Sequence, residues 1–232
     1  MLVSEREQHP GALKKIYEVE SSFERIRQLF PDITIETHIT GGKWIDRMSQ
    51  FVQQKNIDLI VIGSHGASGK NEFFIGSNTQ KVVRGVHCPI LVIKEPLSKV
   101  TFNKVIYASS FNEAEKVAFL KFKDFIKHFL PEIHLLTIHN SEFLDGPIIL
   151  QKKVLQDYVE LSKPLPAFPY IIDHFTIDGG IRAFANKLGA DLIVVSNHYK
   201  RPLKRMLVGS NVEALVNHSD RPVLTIDFPE NS

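Results

Sequence analysis

The stretch Asp58-Leu-Ile-Val-Ile-Gly63-Ser-His-Gly66, followed after nine residues by Gly76-Ser77-Asn78 and then by Cys88-Pro89-Ile-Leu-Val-Ile93, decides the fold of this chain. It reads as strand, glycine loop, helix and strand. Asp58–Ile62 and Pro89–Ile93 are short apolar, β-branched runs bounded by turn residues, the pattern of strands buried on both faces of a parallel sheet. Between them, Gln80–Val86 carries apolar residues at mixed three and four spacing, and Ser77 stands just ahead as the predicted N-cap.

The same stretch occurs twice. Asp58–Gly63 recurs as Asp191-Leu-Ile-Val-Val-Ser196, Gly76-Ser77-Asn78 as Gly209-Ser210-Asn211, and Pro89–Ile93 as Pro222-Val-Leu-Thr-Ile226. All three pairs keep one offset without a gap, and roughly a third of the positions are identical, too many for chance over this length. Ile45, Met48, Phe51 and Val52 mark an amphipathic helix opened by Trp44 before the first copy, and Ile181, Phe184, Ala185 and Leu188 mark its counterpart. Strand alternating with helix predicts an α/β fold, two repeats of a doubly wound parallel sheet with right-handed crossovers.

The second repeat can be followed from its start. Val105–Ala108 reads as a first strand, Asn112–Phe129 as a helix with apolar face Val117, Leu120, Phe122 and Phe125, and Ile133–Ile138 as a second strand. A proline-rich break at Pro164–Pro169 precedes a third strand over Tyr170–Ile177, and Ser210 is the predicted cap of a helix over Val212–Val216. The joint falls near Glu95–Thr101, where Pro96 interrupts the pattern, giving units 1–96 and 101–232. Counting back by the same offset sets Met1 near the middle of the second strand's counterpart. The first unit as given therefore has no equivalent of a first strand and first helix, and its third strand is expected near Ile33–Ile39.

Composition removes several classes of function. Lys plus Arg number 28 against 26 for Asp plus Glu, so no broad field is available to hold nucleic acid or an anionic membrane, and anion binding must be local. No run approaches the roughly 20 apolar residues of a membrane span, and Met1–Pro10 is too polar for a signal peptide, so a cytoplasmic location is expected. Cys88 is the single cysteine; it has no internal disulfide partner and reads as a small apolar residue entering a buried strand.

The loop after the first quoted strand carries the chemistry. Glycines admit positive φ and let backbone N–H groups approach an anion, and a helix N-terminus adds unpaired donors and the positive end of the macrodipole. Such a loop can hold phosphates without a lysine. It lacks the Gly-Lys-Ser/Thr ending of a Walker loop and the close-set glycines of a dinucleotide fingerprint.

The arrangement Gly-x2-Gly-x9-Gly-Ser, set between an apolar strand and a helix leading to a Cys-Pro-Ile-Leu-Val-Ile strand, resembles the nucleotide-binding loop of the universal stress protein family. The resemblance is close over residues 58–94 and looser over most of the chain. It implies a Rossmann-like, five-stranded parallel α/β fold in tandem, with the two last strands, Pro89–Ile93 and Pro222–Ile226, pairing antiparallel as in a dimer. It also implies that ATP, with or without Mg2+, is bound by Ile62, Gly63, Gly66, Gly76, Ser77 and Asn78. The glycines would admit phosphates to backbone N–H groups, and Ser77 would donate a hydroxyl and cap the helix. The sequence offers no evident general base or metal carboxylate in the loop, so at most weak hydrolysis is expected.

The departures are in the second copy. Where the family has an aspartate ending its first strand, Lys104–Asn112 places Ser110, and the loop reads Ser196-Asn-His-Tyr199 without its leading glycines. A bulky Tyr199 stands where a phosphate-binding backbone belongs, so the second site is expected to be closed. The four cations of Lys200–Arg205 read as a solvated loop, and His65 and His198, at one repeat position, as loop histidines without metal partners. Two other functions fit the same sequence: an interaction module with both sites silent, dimerising through the last strands, and an adenylating enzyme of a related fold.

Overall fold

The computed structural model describes residues 10–38, 43–63, 76–97, 99–139, 148–198 and 211–228. The chain divides into two compact units, 1–47 and 48–232. In the first, α1 (Pro10–Leu29) is followed by residues 34–38, which form neither helix nor ladder. The Arg27 guanidinium ties that segment to α1, donating to the Ile35 carbonyl at 3.4 Å and to the Thr37 hydroxyl at 3.0 Å. The third strand expected near Ile33–Ile39 is thus not formed within the described residues. A strand needs a neighbour's backbone to satisfy its N–H and C=O groups, and here a side chain serves the segment instead.

The second unit is built on one seven-stranded sheet: β1 (Ile60–Gly63), β2 (Ile90–Ile93), β3 (Lys104–Ala108), β4 (Glu132–His139), β5 (Ala167–Asp173), β6 (Leu192–His198) and β7 (Val223–Phe228). Their order is β1-β2-β7-β6-β3-β4-β5. Every neighbouring pair is parallel except β2 and β7, which run antiparallel with Ile90 opposite Thr225, Leu91 opposite Leu224 and Val92 opposite Val223. The predicted pairing of the two last strands is therefore present within one chain. β5-β4-β3-β6-β7 is a complete doubly wound sheet whose order reverses between β3 and β6, and β1 and β2 extend it from the first repeat.

The repeat offset survives in the helices. With α2 (Trp44–Lys55), α3 (Ser77–Gly85), α4 (Lys116–Ile126), α5 (Ile148–Ser162), α6 (Ile177–Leu188) and α7 (211–218), α2 and α6 begin and end at corresponding positions of the two copies. Across the antiparallel seam, Arg84 of α3 forms a two-bond pair with Glu213 of α7, and Lys94 donates to the Asn217 carbonyl at the end of α7. The compact division does not follow the repeat joint, because β1, α3 and β2 share the sheet of the second repeat.

The core fills the space between the sheet and α4 and α5. Tyr107, Phe111, Phe119, Phe122 and Tyr158 are all buried, with the Tyr107 and Phe119 rings edge to face at 5.0 Å. Two expectations need correction. The buried face of α4 is Ala118, Phe119, Phe122 and Ile126, whereas Val117 and Leu120 are 50% and 47% exposed. The helix is preceded by a 3-10 turn at Glu113–Glu115, which shifts its phase relative to a helix begun at Asn112. The third strand of the second repeat is Ala167–Asp173, not Tyr170–Ile177. Pro169 is tolerated because β5 is the sheet's edge, and Thr176 caps α6 by accepting from the Gly179 N–H at 3.2 Å, ending the extended run before Ile177.

One buried side chain is expected to make stability depend on pH. His134 stacks on Phe168 with ring centroids 5.5 Å apart, and Tyr170 and Phe184 close around it. Its Nε2 has no hydrogen-bond partner, with a Glu132 oxygen 3.8 Å away. Desolvation holds its pKa below 6.5; Glu132 opposes the shift and Lys104 adds to it. A depressed histidine is neutral in the fold, so its contribution is complete above the unfolded value and is lost as pH falls through the folded one. Urea midpoints are expected to fall between pH 7 and pH 5, and to fall less in His134→Phe. Equal pH profiles for the two proteins would remove His134 as the cause.

Candidate functional site

In a doubly wound sheet the ligand crevice lies outside the carboxyl ends of the strands, and the chain has one such end in each repeat. In the first, β1 delivers Ile62 and Gly63 to the loop, and among the described residues none would lie within 4 Å of a Cβ at Gly63. The chain re-enters at Gly76, whose extended conformation (φ −57°, ψ 147°) makes it the cap residue of α3. The Thr79 hydroxyl donates to the Gly63 carbonyl at 3.1 Å, fixing the end of β1 against the first turn of α3.

Five of the six predicted residues, Ile62, Gly63, Gly76, Ser77 and Asn78, thus belong to one strand end and one helix start joined by that bond. Gly66 lies outside the described residues, as do His65, Tyr199, Lys200–Arg205, Gly209 and Ser210. Ser77 is not the N-cap: it is the first helical residue, and no side chain among the described residues caps the helix. Gly76 precedes the turn in the cap position, so the Ser77 hydroxyl is one residue too far along to reach back to the first N–H groups. An uncapped N-terminus with a glycine at its cap and another at the strand end is chemically suited to an anion.

The second crevice is different, and sequence reasoning missed the residue that fills it. Between β3 and β6 lies Glu115, fully buried. Its carboxylate accepts from the Ser109 hydroxyl, the Ser110 hydroxyl at 3.3 Å, the Ser196 hydroxyl at 3.1 Å and the Asn112 N–H at 3.3 Å. Ser110 stands where an aspartate was expected and Ser196 where the first repeat has Gly63; both replacements hold Glu115. The clue was Asn112-x-x-Glu115, a capping box, since the Glu115 N–H donates back to the Asn112 side chain at 3.2 Å. Burial, then the charge of Glu115, pushes the Tyr107 and Tyr158 hydroxyls above the usual range. Among the described residues no group of three or more metal-binding side chains gathers, and no helix is long and apolar enough to cross a membrane.

The fold agrees with what comparison with known proteins finds. The universal stress protein family model matches residues 2–94 and again 101–227, and the chain belongs to that family. A universal stress protein of Methanocaldococcus jannaschii is 31% identical over 97 residues, which are 41% of this chain and 52% of that one. The chain spans about half the length of the curated relatives it matches. The crystal structure of a universal stress protein from Archaeoglobus fulgidus DSM 4304 superposes with a TM-score of 0.74 at 18% identity, covering 97% of this chain and 81% of that chain, a likeness of fold. A universal stress protein from Archaeoglobus fulgidus solved in complex with dAMP is more distant, with 14% identity, a TM-score of 0.43, and coverage of 55% of this chain and 99% of that one.

Proposed function

We propose that this is a stress-response or regulatory protein that binds an adenine nucleotide, ATP in the first instance, through the first repeat. Ile62, Gly63, Gly66, Gly76, Ser77 and Asn78 form the binding loop, and the repeats 1–96 and 101–232 are its working units, joined as a pseudo-dimer inside one cytoplasmic chain. The N-terminus of α3, opened by Gly76 and held at the end of β1 by the bond from Thr79 to Gly63, carries the reading. The positive end of the helix macrodipole and the absence of a side chain at Gly63 suit a phosphate there.

The described residues of the loop offer hydroxyls and backbone N–H groups but no carboxylate, so Mg2+ would arrive on the nucleotide's own phosphates. No general base stands among the described residues of the loop, and we take binding rather than turnover as the function. Among the described residues β1 is an edge strand, so the crevice has one wall fewer than a complete sheet provides, and affinity is expected to be weak. Calorimetry with ATP, with and without Mg2+, tests the reading. Gly66→Asp should weaken binding by about tenfold or more by adding a Cβ and a negative charge to the loop. Heat evolved equally by wild type and variant would dismiss the loop, and none from wild type at millimolar ATP would favour the second reading, an interaction module with both sites silent, for which the filled second crevice speaks.

A further inference from the structure

We infer that Glu115 is a built-in ligand of the second repeat: its carboxylate occupies the crevice between β3 and β6 and takes over the work of pinning those strands that a bound anion would otherwise do. A capping-box glutamate needs only the backbone N–H of its cap residue and normally sits at the surface. Glu115 exceeds that role in three respects. It is wholly buried, it collects hydroxyls from Ser109 and Ser110 after β3, and it collects a third from Ser196 in β6, 81 positions along the chain. Three hydroxyls and an N–H from two elements form a donor set of the kind that proteins turn toward a carboxylate or phosphate.

The surroundings are built to hold that arrangement. The Ser109 hydroxyl oxygen also accepts from the Phe111 N–H at 2.9 Å, and its carbonyl accepts from Thr137 of β4 at 3.0 Å. Tyr158 of α5 donates to the Asn112 carbonyl at 2.8 Å. Between them Phe111 takes the left-handed conformation, φ 54°, which is costly for an aromatic residue and is kept only where neighbours over-determine it. The strained turn is what carries residue 115 back over the strand ends. A second anion in the crevice would lie against a buried negative charge, so the second repeat stays in its filled arrangement whatever the nucleotide concentration.

This inference stands on the geometry of the second repeat and is independent of nucleotide binding by the first. Glu115→Ala should leave a donor-lined cavity that a small planar carboxylate can enter. Its Tm is expected to fall by about 10 °C or more. Adding sodium formate should then raise the Tm of the variant by several degrees while leaving wild type at the level set by sodium chloride of the same ionic strength. Equal responses to formate and chloride would overturn the inference. Glu115→Gln, which keeps the volume and removes the charge, covers the case in which the alanine variant does not fold. It should melt several degrees below wild type; a glutamine variant as stable as wild type would show that the crevice does not require an anion.

Discussion

Phe119→Ala is expected to cost about 3–5 kcal/mol of stability, whereas Leu120→Ala, one position along the same helix, should cost well under 1 kcal/mol. The Phe119 ring is inaccessible and touches three others, Tyr107 at 5.0 Å, Tyr158 at 5.1 Å and Phe122 at 5.8 Å between centroids. Truncation removes its transfer term and leaves a cavity whose walls are held by the sheet on one side and α5 on the other. Leu120 is half exposed and loses little. Paired urea melts of the two variants measure the phase of α4 directly. A larger loss from Leu120→Ala would mean that the helix is rotated by one residue from the arrangement described above.

Leu224→Asp should abolish the folded state at 25 °C. Leu224 faces Leu91 across the antiparallel junction of β2 and β7 and belongs to the buried core with Val105, Val194 and Leu192. A carboxylate there has no partner, and an uncompensated buried charge costs several kcal/mol on top of the lost apolar contact, a sum comparable with the whole stability of a domain. Circular dichroism should show the loss of cooperative melting. A cooperative transition within a few degrees of wild type would show that the two last strands do not meet in this way in solution.

The repeat made much of this legible. One offset linked Asp58–Ile93 to Asp191–Ile226 and with it the strand, helix and strand of both copies, while the antiparallel junction of the last strands was an expectation of the family resemblance. Helix phase was not legible, because the 3-10 turn at Glu113–Glu115 depends on the capping of Asn112 and on a carboxylate drawn inward, neither of which leaves an apolar period. The short reach of β5 depended on its being an edge, a property of the whole sheet and not of residues 164–177. The cap of α3 was misplaced by one residue because serine is favoured at that position in general, while glycine here serves both the loop and the cap. Glu115 was passed over because a lone glutamate after an asparagine looks like ordinary surface sequence. Only the fold brings Ser110 and Ser196 to it from opposite sides.

The reversal of strand direction between β2 and β7 also sets the two crevices apart. The carboxyl ends of β1 and β2 point one way along the sheet, and those of β6 and β3 point the other. The glycine loop and the buried Glu115 therefore open on opposite rims of a single sheet, and a molecule held at one rim cannot reach the other. Among the described residues, an influence of the first on the second can pass as a shift in the three-residue register Ile90–Val92 against Val223–Thr225, through the Arg84–Glu213 pair that clasps the helices beside it, or through the bond from Lys94 to the Asn217 carbonyl. Each rim was thus free to change its chemistry without steric interference from its twin.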